Sequence, residues 1–205
     1  FAAFDPDRDQ VLSDCARLGV ERLVLLGVTQ GNWDRIWQLC RQHDNLFAAF
    51  GLHPMFMDEH RDGHIGALQQ ILAERLDDPR CCAVGEYGLD YWGKNADRNA
   101  QQQLFEAQLQ LAVDCCLPSL LHVRRAHADV IATLKRYRPA RGGIIHAFSG
   151  SPEEAREYHK LGFKLGLGGA ATWPQATRLR QTIALLPGEQ LVLETDSPDM
   201  APAFH

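Results

Sequence analysis

The chain has no uninterrupted apolar run near the ~18 residues that a bilayer crossing requires, and its first residues lack a basic segment followed by an apolar core. Neither a membrane span nor a signal peptide is visible, so the expectation is a soluble cytoplasmic protein. None of the six cysteines stands in a C-x-x-C pair. Cys15, Cys40, Cys81, Cys82, Cys115 and Cys116 lie in apolar segments, as expected of reduced buried thiols. No Gly-x-Ser-x-Gly elbow occurs and no cysteine has an evident activating neighbour, so nucleophilic Ser or Cys catalysis is unsupported. No Gly-rich dinucleotide fingerprint or P-loop follows any predicted strand, which argues against a nucleotide cofactor. Positive charge is also scarce: 21 Lys and Arg face 26 Asp and Glu, for a net charge of −5. Broad adhesion to duplex nucleic acid is disfavoured, but an enzyme that takes one strand end through a metal is not.

What is present is an ordinary globular composition, 45% hydrophobic and 23% charged over 205 residues, long enough for one sizeable domain spanning residues 1–205. A helix is expected from Asp5-Pro6, with Gly19 ending it. A strand over 22–28 leads to a helix capped by Asn32, whose Trp33, Ile36, Trp37 and Cys40 repeat at core spacing. Further strands are expected at 46–50, around 81–86, before His122, at 142–148, at 164–167 and at 191–193. Between them run helices over 62–76, 98–115, 128–137 and 175–186, and one that Ser151-Pro152-Glu153-Glu154 starts as a capping box. The Gln-rich face of the helix from Arg98 is expected to be solvated. Such alternation makes either a doubly wound sheet or a (β/α)8 barrel. Seven strands and no final helix predict a distorted TIM barrel lacking its first strand and last helix.

The chemistry lies in one repeated pattern. Leu191-Val192-Leu193 runs into Glu194-Thr195-Asp196, Ala83-Val84-Gly85 into Glu86, Leu120-Leu121 into His122, and Ile144-Ile145 into His146. Each is an apolar strand closed by a carboxylate or imidazole, and in parallel sheets those ends all face one side. Singly, such residues are more often structural; four strands ending alike point to convergence. Asp, Glu and two His together suit a hydrolytic divalent metal site. His53, after the strand at 46–50, belongs near it, and Arg124 could grip a phosphate or serve as a surface ion pair. Lys94, Arg98 and Arg125 read as solvated charges, and Tyr91 and Trp92 as packing over the barrel mouth.

Gly51-Leu52-His53-Pro54, Val84-Gly85-Glu86-Tyr87-Gly88-Leu89-Asp90, Leu121-His122-Val123-Arg124, His146-Ala147-Phe148-Ser149-Gly150 and Leu193-Glu194-Thr195-Asp196-Ser197-Pro198 resemble, in order and spacing, the TatD-related metal-dependent deoxyribonucleases, and within them the YjjV-like branch. The resemblance implies an amidohydrolase-type TIM barrel, two divalent ions (magnesium, manganese or zinc), and 3′-to-5′ hydrolysis of DNA, single-stranded or at 3′ ends. It implies that Glu86 bridges the ions, that His122 and His146 ligate, and that Asp196 ligates and handles the water's proton. His53 and Arg124 match substrate-binding positions at the mouth. The family's His-x-His pair on its first strand has no counterpart here, so the intact polypeptide is expected to be longer. Alternatives are a metal-dependent hydrolase of a small phosphoester, amide or ester, and a non-catalytic barrel.

Overall fold

The computed structural model describes residues 2–93 and 96–204; Lys94 lies outside them. Its centre is a curled sheet whose seven strands keep chain order: β1 (Leu23–Leu26), β2 (Leu46–Phe50), β3 (Cys81–Asp90), β4 (Ser119–Arg124), β5 (Gly143–His146), β6 (Phe163–Leu167) and β7 (Leu191–Leu193). Every neighbouring pair is parallel. Parallel neighbours need crossovers, and helices supply them: α2 (Gln30–Gln42), α3 (His64–Arg75), α4 (Arg98–Asp114), α5 (His127–Tyr137), α6 (Pro152–Lys160) and α7 (Thr177–Ala184), with α1 (Arg8–Arg17) ahead of β1. The strand-and-helix order thus follows the expected barrel-type alternation, with β1 and β7 at the two edges.

Burial is uneven across this sheet. Ala48, Ala49, Phe50, Val84, Tyr87, Leu89 and Leu121 are fully buried on its central strands. Trp33 and Trp37 are core, their rings 6.4 and 6.1 Å from Phe50. At the edges Val24 is 46% and Leu193 91% exposed, so the dry interior is built mainly by β2 to β5.

Local boundaries differ from the sequence reading where side chains compete for the backbone. α1 starts at Arg8 rather than Asp5, because the Asp5 carboxylate pairs with both Arg8 and Arg35. Asn32 sits in the first turn of α2 and reaches back to accept from the Val28 and Thr29 N–H groups; Thr29 is the cap. The Ser151 box forms as expected: Ser151 Oγ accepts from the Glu154 N–H at 3.2 Å and Glu154 from the Ser151 N–H at 2.7 Å. Burial pushes the Cys40 and Cys81 thiols up to about 12, which keeps them protonated, whereas Cys116 is exposed. Among the described residues no helix is long and apolar enough to cross a membrane.

The Gln-rich helix departs most from expectation. Gln101 and Gln108 are buried on the same α4 stripe as Phe105, Leu109 and Ala112. Gln108 accepts from the Leu52 N–H at 2.7 Å and donates to the Leu52 carbonyl at 3.0 Å. Gln101 accepts from the Asp90 N–H at 2.8 Å. Both amides therefore substitute for sheet partners that the ends of β2 and β3 no longer have.

Candidate metal centre

β3 does not run straight. Its register with β4 steps from Gly85↔Leu120 to Tyr87↔Leu121, which leaves Glu86 as the extra residue of a bulge. Bulges re-aim a side chain, and here the Glu86 N–H leaves the ladder to reach the Gly27 carbonyl at 2.9 Å. A methyl group on Gly51 would stand 2.7 Å from the Glu86 carbonyl, so the turn after β2 can approach the bulge only as glycine. Two residues on, Gly88 has φ +148 and its missing Cβ would sit 2.0 Å from the His122 carbonyl. A side chain there would force β3 off β4.

The pairing of β4 with β5 sets His122 directly opposite His146. Glu86 Oε1 lies 3.4 Å from His122 Nδ1 and 3.5 Å from His53 Nε2, and the His53 and His122 rings are 4.4 Å apart. One ligand-type atom from each of His53, Glu86 and His122 falls within 4.8 Å of the other two. His53 therefore stands inside the cluster. Its Nδ1 accepts from the Met55 N–H at 3.1 Å, which leaves Nε2 to face Glu86.

His146 forms a second group with the end of β7, where its Nε2 lies 3.2 Å from Asp196 Oδ1 and its Nδ1 contacts Glu194. Glu194 also accepts from the Ala147 N–H at 3.2 Å. The expected residues Glu86, His122, His146 and Asp196 thus occur as two adjoining groups whose charges act on each other. Arg124 does not join them: its guanidinium lies over the Trp92 ring, 4.2 Å from the centroid. Arg98 and Arg125, expected to be freely solvated, stack on Tyr91 and Trp92.

Two carboxylates escaped the sequence reading. Asp90 accepts from His122 Nε2 at 2.9 Å, and Glu194 holds His146. Alternate residues of an extended segment share a face, so Glu86, Gly88 and Asp90 point one way. That period of two was the available signal. The strand ends are also strained: Arg125, Ala147 and Asp196 have φ of +56, +43 and +58 without being glycine.

Charge follows from this packing. Burial opposes ionisation of Glu86, but the nearby His122 and His53 imidazoles overcome it and hold the carboxyl well below its ordinary range. For His146, burial disfavours the imidazolium, yet Asp196 and Glu194 raise it to about 10. His122 is likewise raised, against burial, by Asp90 and Glu86. Burial lowers His53, with Glu86 offsetting only part of the effect. Even so, Glu86 Oε1 and His146 Nε2 are buried without a hydrogen-bond partner. An ionised oxygen and an imidazole nitrogen left bare next to further N and O donors fit a divalent cation. Asp90 and Glu194 then fix the rings from behind, the usual support of metal-bound histidine.

A curled parallel α/β sheet with imidazoles and carboxylates at its C-terminal strand ends defines a metal-dependent hydrolase of the TIM-barrel type. The chain belongs to the TatD related DNase family, whose profile matches residues 1–205. It is 40% identical over 200 residues to the uncharacterized metal-dependent hydrolase YjjV of Escherichia coli K12, covering 98% of this chain and 76% of that protein. It is 31% identical over 201 residues to the 3′-5′ ssDNA/RNA exonuclease TatD of Cronobacter turicensis, covering 97% and 75%. The crystal structure of the E. coli YjjV, a TatD homologue, superimposes with a TM-score of 0.94 at 39% identity, over 98% of this chain and 77% of that one.

Proposed function

We propose that this chain hydrolyses phosphodiester bonds of DNA from the 3′ end of a single strand, with Glu86, His122, His146 and Asp196 holding two divalent cations. His53, read first as a substrate contact, stands beside Glu86 and His122, but with Nδ1 accepting from the Met55 N–H its Nε2 carries the proton and faces the Glu86 carboxylate rather than ligating. The observation that carries the reading is Glu86 Oε1, buried and unpartnered between two imidazole nitrogens. Likeness to a relative named as a single-strand exonuclease supports the choice of substrate.

Bound divalent ions would polarise a phosphoryl oxygen and bring the pKa of a water from about 15.7 to near 7. The protein does the rest. Glu86 stays ionised because two imidazoles stand 3.4 and 3.5 Å from it, so it contributes a fixed negative charge. Asp90 and Glu194 prevent His122 and His146 from rotating away. The Asp196 side chain keeps 37% of its surface exposed, against 6% for Glu86. It is therefore the carboxylate placed to take a proton from the attacking water and pass it to solvent. Two imidazoles favour zinc over magnesium in affinity.

The test is a 5′-labelled single-stranded DNA with added magnesium or manganese, cleaved by the protein and by Asp196→Ala. A metal-requiring 3′-to-5′ ladder that the variant loses is expected. Intact DNA after incubation with protein that carries bound metal would overturn the reading and move the substrate class to a small phosphoester, amide or ester.

A further inference from the structure

We propose that Trp92 and Arg125 extend the substrate contact expected of Arg124 into a phosphate-binding subsite beside the metal centre, gripping the phosphodiester one nucleotide along from the bond that is cut. This rests on the nuclease reading above. Both guanidiniums lie over the single Trp92 ring, with Arg124 Cζ 4.2 Å and Arg125 Cζ 3.9 Å from its centroid. Like charges on one ring repel, and the sequence offers 26 carboxylates that would stabilise them better. Neither guanidinium makes a salt bridge among the described residues, and Arg124 feels the Asp90 carboxylate only from beyond contact distance.

Stacking and pairing leave an arginine in different states. An ion pair consumes the N–H donors along the guanidinium edge, whereas an aromatic ring engages only its face. Trp92 thus holds two planar forks in place with their donors free for the paired oxygens of a phosphate. The backbone spends energy to keep this arrangement, since Arg125 adopts φ +56, a left-handed conformation that a side chain disfavours.

Position links the pair to the reaction. Arg124 is the register partner of Asp90. One Asp90 oxygen accepts from the Trp92 N–H at 2.9 Å, and the other from His122 Nε2 at 2.9 Å. The subsite is therefore two hydrogen bonds from a cluster imidazole, beside the centre rather than in it. Trp92 is 53% exposed, so a strand can reach the lip without any rearrangement of the core. In a chain of net charge −5, this lip gives a polyanion a local place to land.

The experiment pairs each residue with the phosphate it is said to hold. Single-stranded oligonucleotides are made with either natural linkages or one neutral methylphosphonate next to the 3′-terminal linkage, and cleaved by the protein, Arg125→Gln, Trp92→Ala and Trp92→Phe. The neutral linkage should cost the unaltered protein about tenfold in kcat/KM, mostly through KM, as expected for losing a charge-assisted hydrogen bond. Arg125→Gln and Trp92→Ala should lose about tenfold on the natural strand and little more on the neutral one, and Trp92→Phe should restore the difference. Binding of the labelled strand should lose about 0.7 from its log–log salt slope in Arg125→Gln. If the neutral linkage costs the variants as much as the unaltered protein, the subsite is wrong while the nuclease reading stands. If the unaltered protein cleaves no strand, the nuclease reading falls and the subsite with it.

Discussion

Two imidazoles in this protein are held in the same way in very different places. His122 lies between Asp90 and Glu86, and His146 between Glu194 and Asp196, each ring using one nitrogen for a rear carboxylate and the other for a forward one. The His122 half belongs to the dry centre, where Glu86 is 4% exposed and Gln101 and Gln108 of α4 brace the adjoining backbone. The His146 half leans on β7, a three-residue edge strand whose Leu193 is 91% exposed. Fixed charge belongs where water is excluded, and proton traffic where water can enter. The braced half suits cation capture and the open half suits the exchange of protons.

The largest effect should come from the centre of the braced half. Glu86→Gln removes its negative charge without changing its shape, and activity should fall roughly 10³-fold. Metal content, read by plasma emission, should fall with it; an active, metal-loaded variant would break the proposed division of labour. Gln108→Leu should come next. It leaves the Leu52 N–H and carbonyl buried and unpaired, so chemical denaturation should show a loss of about 3 kcal/mol. An unchanged midpoint would mean that α4 is no brace.

The rear carboxylates sharpen the contrast. Asp90→Asn should weaken metal affinity by about 100-fold and Glu194→Gln by about 10-fold, within the range for groups that orient ligating histidines. Isothermal titration with manganese would check this, and the reverse order would place the rigid anchor at β7. The smallest effect is on pH. Without metal, His146 stays protonated up to about 10, so cation uptake should expel protons and strengthen as pH rises toward that value. A raised imidazole stabilises the folded state fully below its unfolded value of about 6.5 and loses that contribution as pH climbs through about 10. Glu86, held low, does the opposite: its contribution is present above its unfolded value of about 4.3 and disappears as pH falls. The midpoint of thermal unfolding of the metal-free protein should therefore decline on both the alkaline and the acidic side. A flat profile from neutrality to pH 10 would refute the His146 assignment.

Much of this architecture was legible in one dimension. Strands of consecutive apolar residues, helices with a 3.6-residue stripe, and the Ser151-Pro152-Glu154 cap all follow from local periodicity and backbone hydrogen bonding. The parallel sheet then puts every strand's C-terminal end on one side, which is why Glu86, His122, His146 and Asp196 could be expected near one another without coordinates. Gln101 and Gln108 were misread because a periodicity weighted by hydropathy takes polar residues for solvent, although both sit at core spacing with Phe105 and Leu109. Asp90 and Glu194 were in plain view at alternate positions behind Glu86 and before Asp196. Only the fold shows that they turn inward, Asp90 against a histidine on the neighbouring strand and Glu194 against one two strands away.

By itself the sequence determined the order of strands and helices and which donors cap them, because both depend on residues within a few positions of one another. Tertiary structure alone decided that His53 joins Glu86 and His122, that each imidazole is held from both sides, and that Trp92 carries two guanidiniums. Those are contacts between residues from 32 positions apart, as for His122 and Asp90, to 69 apart, as for His53 and His122 (122 − 53). They are set by strand register, a bulge at Glu86 and the packing of α4, none of which a local pattern encodes.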